Sequence, residues 1–389
     1  MFLLNSRVLC FLLILLLVLS LIVGCASNGK VDIAADDKVE DIEIEEEEVP
    51  SLRIVYTFSN YHAPLIVAAA KNNAFENEGI YLEEIIEGEK YALISDGEKV
   101  SNIELVAVRD GKDVMDMLAQ GNGELGFSSM EFPLKTIDDG YDIKILGPIG
   151  MDGMALVMGQ DMPIDDLDSF MQYIREHDEP LSIGYHAPST MPIILFEAAM
   201  KERAISFTRN PGQKDNDILL VDLKGTANLI PSLQAEQVVD GWIGFSPFPE
   251  LAELEGAGKV ILDLDGFNPM GRWNEFPHSV ISARDGAIEN HYKEIGEFFK
   301  LLSIAMKYMN QNEQEVGGLV ADWIGTSADA IASSNISYSM KASQNWIDNA
   351  DVVFRYLQDS GKFKGKLANG QLGNMRDDIF YFTFALNSQ

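Results

Sequence analysis

The sequence predicts a two-lobed α/β protein in which each lobe is a mainly parallel sheet flanked by helices. Three observations carry that expectation. From Leu52 onward, short β-branched runs alternate with longer stretches of helical periodicity, the pattern of a parallel sheet covered by helices. About 335 residues follow that point, more than one hydrophobic core usually organises. The alternation changes at Ala155–Met158 and again after Val260–Leu262, as expected where a chain crosses into a second lobe and returns.

In the first series, Arg53–Tyr56 reads as a strand, Pro64–Asn72 as a helix and Tyr81–Ile86 as a second strand. Tyr91–Ile94 and Ile103–Val108 flank Asp96-Gly97, a hairpin signal, so 87–108 reads as a β-hairpin insertion. Helix Lys112–Gln120, strand Leu125–Phe127, helix Phe132–Asp138 and strand Ile143–Leu146 complete this series. The second series predicts helices at Leu167–Glu176, Met191–Arg203, Ala227–Gln234 and Pro249–Glu255, with strands at Leu181–Tyr185, Ile218–Val221 and Val239–Trp242. A strand at Ser279–Ala283 then leads into helix-dominated sequence. The expected division is therefore 51–155 with 263–389 as lobe 1 and 156–262 as lobe 2.

The N-terminus has a different character. Arg7 precedes the apolar run Val8–Val23, which is shorter than the roughly 20 residues a spanning helix needs. This order predicts a signal peptide over 1–24. Ile22-Val23-Gly24-Cys25 resembles a lipobox, which implies lipidation of Cys25 and a protein anchored on the extracytoplasmic face of the cell membrane. Of the two cysteines, Cys10 leaves with the leader, so neither a disulfide nor a catalytic thiol is expected. Residues 26–50 carry ten acids against two lysines and contain no Leu, Met or aromatic residue, the composition of an extended tether. The formal net charge of −32 argues against nucleic acid as a partner. No His/Cys spacing suits a structural metal, and no cofactor is expected.

Candidate binding residues follow from topology. In open α/β sheets ligands sit beyond the carboxyl ends of the strands, where unpaired helix N–H groups favour oxygens. Polar turns occur at such points: Ser59-Asn60-Tyr61-His62, Ser128-Ser129-Met130-Glu131 and His186-Ala187-Pro188-Ser189-Thr190. The tetrapeptide Tyr-His-Ala-Pro occurs twice, as Tyr61–Pro64 and Tyr185–Pro188, each just after a predicted strand. His62 and His186 would then line opposite walls of one cleft and make binding pH-sensitive; ordinary capping is the alternative. Trp242, Phe245 and Phe248 offer an aromatic wall beside Ser246, with core packing as the alternative for each ring. No basic cluster occurs in these loops, which leaves neutral and cationic ligands open beside oxyanions.

The order of segments resembles the extracytoplasmic solute-binding proteins of ABC importers, in the branch that serves nitrate, sulfonates, taurine and thiamine precursors. The landmarks are His62–Lys71 with Ala74–Ile80, Asp113–Gly126, Ser182–Thr190, Leu233–Phe248, Phe276–Arg284 and the helix Ile295–Asn312. The hairpin insertion and the prolines bracketing Ser189 depart from the pattern. The resemblance implies a monomer that captures a small solute without chemistry and delivers it to a permease and its ATPase. A sensing receptor lipoprotein fits the same sequence. A synthase of the thiamine pyrimidine shares the resemblance but depends on a cysteine-rich segment that is absent here.

Overall fold

A computed structural model describes residues 49–234 and 238–388. The expected signal peptide, Cys25 and nearly all of the tether lie outside the described residues. Among the described residues, no helix is long and apolar enough to cross a membrane.

Fourteen strands are described, in two sheets flanked by helices. The first has eight strands: β1 (Ser51–Thr57), β2 (Ile80–Ile86), β3 (Lys90–Ser95), β4 (Glu98–Val108), β5 (Leu125–Ser129), β6 (Ile143–Asp152), β13 (Pro277–Arg284) and β14 (Ile336–Tyr338). The second has six: β7 (Met154–Gly159), β8 (Leu181–Tyr185), β9 (Phe207–Thr208), β10 (Ile218–Asp222), β11 (Gly241–Phe245) and β12 (Gly258–Asp263). Their spatial orders are β14-β6-β13-β5-β1-β4-β3-β2 and β12-β7-β11-β8-β10-β9. The chain passes between sheets twice, at Asp152–Met154 and between β12 and β13.

The main helices are α1 (Ala63–Lys71), α2 (Gly111–Ala119), α3 (Glu131–Asp138), α4 (Leu167–Glu176), α5 (Met191–Glu202), α6 (Phe248–Leu254), α7 (Tyr292–Gln311), α8 (Glu313–Ile324) and α9 (Gln344–Asp359). Their starts follow local chemistry. Asp110 caps α2 by accepting from the N–H groups of Lys112 and Asp113 at 3.0 Å each. Asp166 and Ser169 form a reciprocal capping box on α4. Helix α9 packs against both α5 and α3, so it bridges the two sheets.

Four expectations need correction. The eight-stranded sheet is mixed and not mainly parallel: β1 pairs parallel with β4 and β5, whereas β2, β3 and β4 follow one another as antiparallel hairpins, and β13 and β14, reached after the chain returns from the second sheet, join antiparallel beside β5 and β6. The hairpin forms, with Asp96 and Gly97 both at positive φ (52° and 82°), but 87–108 is no appendage. β4 is the parallel neighbour of β1 along its whole length, from Ser51 opposite Asn102 to Thr57 opposite Val108. β2, the second strand in chain order, stands at the sheet edge. The helix expected over 227–234 is two short turns, Thr226–Asn228 and Pro231–Leu233, because Pro231 has no N–H to continue it. β6 runs on past Leu146 through Gly147-Pro148, because register shifts against β13 absorb the proline.

Candidate ligand-binding site

Both sheets send strand ends to one cavity of about 600 Å³. From the eight-stranded sheet come Phe58, Ser59 and Asn60 after β1, Arg109 and Asp110 after β4, Ser129 at the end of β5, and His278 and Ser279 of β13. From the six-stranded sheet come His186 after β8, Thr190 before α5, and Phe245 and Ser246 at the end of β11. The starts of α2, α3, α5 and α6 and the end of α8 complete the walls.

An aromatic array joins the walls. Phe245 lies 5.1 Å from the ring of His186, 5.5 Å from that of Phe248 and 5.3 Å from that of His278. His278 in turn stacks on Tyr61 at 3.6 Å and 10°. A polar link runs beside it: Asn60 Nδ2 donates to Ser246 Oγ at 2.8 Å, Ser246 Oγ donates to Ser334 Oγ at 2.9 Å, and the Tyr338 hydroxyl donates to the Asn60 carbonyl at 2.8 Å. Asn60 Oδ1 and His186 Nδ1 are buried without a hydrogen-bond partner.

Of the residues proposed from sequence, Ser59, Asn60, Ser129, His186, Thr190, Phe245 and Ser246 line the cavity. Tyr61, His62, Ser128, Met130, Ser189 and Trp242 do not. The Tyr61 hydroxyl donates to the carbonyls of Asp152 and Gly153, both at 2.8 Å, on the first crossover. It reaches them because the chain is glycine at Gly150 of β6 and at Gly153 of the crossover: a Cβ on Gly150 would stand 2.8 Å from the Tyr61 carbonyl, and one on Gly153 2.9 Å from its hydroxyl. His62 is the residue before α1. Its Nδ1 donates to the Thr57 carbonyl at 2.9 Å, so Nε2 accepts from Ser279 Oγ at 3.3 Å and the ring faces inward. Ser128 alternates with Ser129 along the strand and points into the core, and Met130, the residue before α3, is buried as well. Ser189 takes φ +66° and is also buried. Trp242 is fully buried in a small core with Val157, Leu223 and Leu229.

Sequence reasoning missed His278, Ser279 and the Arg109–Gly111 turn. The turn obeys the same rule as the others, a polar stretch between strand and helix, and was hidden by reading β4 as part of an insertion. Phe58, Phe132 and the 324–326 turn at the end of α8 carry no local signal.

The electrostatics follow from burial. It pushes His62 and His186 down to about 4. His278 is held well below the usual histidine range by burial, then by His62 and His186 nearby. All three rings are therefore neutral at pH 7. Burial raises the carboxyl of Glu131, against a bond from Ser129 Oγ and the charge of Lys135. At the crossover, burial pushes Asp152 up to about 7, although Oδ1 accepts from the Phe276 N–H at 2.9 Å. Among the described residues, no group of three or more His, Cys, Asp or Glu side chains is placed to hold a metal ion.

The geometry defines a class: a two-sheet α/β protein with a cavity between the strand ends of both sheets, the architecture of periplasmic binding proteins. The chain belongs to the NMT1-like family, whose model matches residues 45–325. An uncharacterized protein of Methanocaldococcus jannaschii is 26% identical over 152 residues, 38% of this chain and 94% of that one. The ligand-binding component of an ABC-type import system from Staphylococcus aureus, solved with zinc bound, superposes with TM-score 0.62 at 16% identity, over 87% of this chain and 99% of the other. The aliphatic sulphonate binding protein of Escherichia coli gives 0.60 at 17%, covering 86% and 99%. The nitrate-binding protein of Synechocystis gives 0.58 at 12%, covering 88% of each chain.

Proposed function

We propose that this protein is the solute-capturing subunit of an ABC importer. It takes a small polar organic solute or an oxyanion into the cavity, closes around it and passes it to a membrane permease driven by an ATPase. The observation that carries this reading is the cavity of about 600 Å³ walled by both sheets, a volume suited to a small molecule. The import and binding proteins that share the fold support it. In this reading the two sheets are the lobes, which moves the divisions from the expected 155/156 and 262/263, each inside a strand of the second sheet, to Gly153 and the segment between β12 and β13, and these crossovers are the hinge. The protein acts as a monomer and without chemistry. Cys25 carries the lipid, and the acidic tether holds the binding unit on the extracytoplasmic side within reach of the permease.

A thermal-shift screen of small solutes tests capture, because a ligand that binds only the native state raises its melting temperature. A rise with at least one solute, lost in Phe245→Ala, is the expected result. No rise across nitrate, sulfonates, amines and nucleobases would sink the reading. Anchoring is tested separately: Cys25→Ala should release the protein from membranes into the soluble fraction.

A further inference from the structure

We infer that the cavity selects a flat solute that donates hydrogen bonds, a neutral amide or a cationic amidine or guanidine, and rejects oxyanions. This rests on the cavity being the solute site. Three of the lining hydroxyls direct their protons into the protein: Ser129 Oγ donates to the Glu131 carboxylate, Thr190 Oγ1 to the Ala187 carbonyl at 3.0 Å and Ser246 Oγ to Ser334 at 2.9 Å. What they leave for a ligand is lone pairs. Asn60 adds another, because its Nδ2 is committed to Ser246 and its buried Oδ1 has no partner. An unmet buried acceptor is costly, and a ligand N–H removes that cost.

The places where an anion would be held are already occupied or lack donors. The N-terminus of α2 is taken by the carboxylate of Asp110. Glu131 is the first residue of α3 and only 3% exposed. Helix α5 opens with Met191-Pro192, and the proline has no N–H. Arg109 is the one lysine or arginine among the described lining residues, and its guanidinium faces Asp110 at 3.2 Å and Asp113 at 3.3 Å. An oxyanion entering here would meet Glu131 and Asp110 with no uncommitted cation to offset them. A donor ligand would instead satisfy Asn60 Oδ1 and stabilise the charged form of the Glu131 carboxyl, which burial disfavours. Neutral His186 presents either a proton or a lone pair at Nδ1, and Phe132, Phe245 and Phe248 supply apolar faces for a flat group.

Titration calorimetry on the full chain decides this with planar pairs of like shape and opposite charge, guanidinium against nitrate and benzamidinium against benzoate, with benzamide as the neutral member. The expected result is that the cation of at least one pair binds about tenfold or more tighter than its anion, with benzamide between them. Glu131→Gln should shrink that preference, and Asn60→Ala should weaken benzamide and benzamidinium alike. If Glu131→Gln fails to fold, the wild-type pairs still decide. Nitrate or benzoate binding as tightly as its partner overturns the inference and leaves solute capture standing. Silence from every probe also overturns it, and capture is then judged by the solute screen alone.

Discussion

The two copies of Tyr-His-Ala-Pro share a sequence and a place after a strand, yet they have opposite fates. In the first, Ala63 and Pro64 open α1 directly, so His62 is pulled beneath Ser279 and Tyr61 is laid on Gly150 and Gly153. In the second, the helix starts four residues later, after Ala187, Pro188, Ser189 at φ +66° and Thr190, and α5 opens at Met191. That extra length leaves His186 in the loop, on the cavity wall, with Nδ1 unpartnered. The Tyr185 hydroxyl accepts from Arg209 Nε at 3.3 Å. One copy is thus scaffold and the other lines the cavity, and the difference lies in where the following helix starts.

The sharpest way to break that contrast is to truncate each histidine. His62→Ala empties a fully enclosed position and leaves the Thr57 carbonyl and Ser279 hydroxyl unpaired, so a loss of about 2–4 kcal/mol is expected. His186→Ala removes a ring with no hydrogen bond at Nδ1 and should cost about 1 kcal/mol or less, while abolishing or strongly weakening solute binding. Urea denaturation measures both losses. Equal costs would mean that both copies are scaffold. The tyrosines should follow at smaller scale: Tyr61→Phe costs about 1–3 kcal/mol, because two carbonyls on the crossover lose their donor, and Tyr185→Phe less than about 1.

The pH dependence of stability is the next test. His62 and His186 titrate near 4 when folded and near 6.5 when unfolded, so between those values the unfolded chain binds more protons. Their contribution is complete above about 6.5 and is lost as pH falls toward 4. Asp152 and Glu250, both pushed up to about 7 by burial, act the other way: over about 4 to 7 the folded state binds more protons, and stability falls as pH rises. In the wild type the slopes oppose one another. Asp152→Asn removes one opposing slope while keeping a residue type that tolerates φ +58°. Its stability should therefore rise more steeply from pH 4 to 7 than that of the wild type, and an unchanged slope would refute the assignment.

Much of this was legible in the sequence, and the rest was not for physical reasons. Strand and helix periodicity located Leu167–Glu176 and Leu181–Tyr185 to the residue, and the rule of polar turns after strands found seven lining residues. That rule cannot tell which way a turn residue points. His62 and Ser128 satisfied it and face inward, because helix start and strand alternation decide orientation. His278 lies at the beginning of an antiparallel strand, and 324–326 at the end of a helix far along the chain. Both reach the cavity through tertiary packing, which leaves no local periodicity to read.

Ser189 gives the smallest and most diagnostic effect. Both readings of the second turn agree that it lies between His186 and α5, but a ligand-contacting serine and a conformational one respond differently to substitution. Its side chain is buried and off the cavity wall, and its backbone is left-handed at φ +66°. Ser189→Gly should therefore change stability by no more than about 1 kcal/mol, since glycine adopts this φ without strain but adds freedom to the unfolded chain. Solute affinity should stay within twofold or so, the scatter expected of a residue that touches nothing in the site. Ser189→Val, which keeps bulk but is β-branched at a positive φ, should destabilise by more than the glycine variant. A large affinity loss in Ser189→Gly with an unchanged melting temperature would return Ser189 to the cavity wall and make the two copies of the tetrapeptide more alike than their geometry indicates.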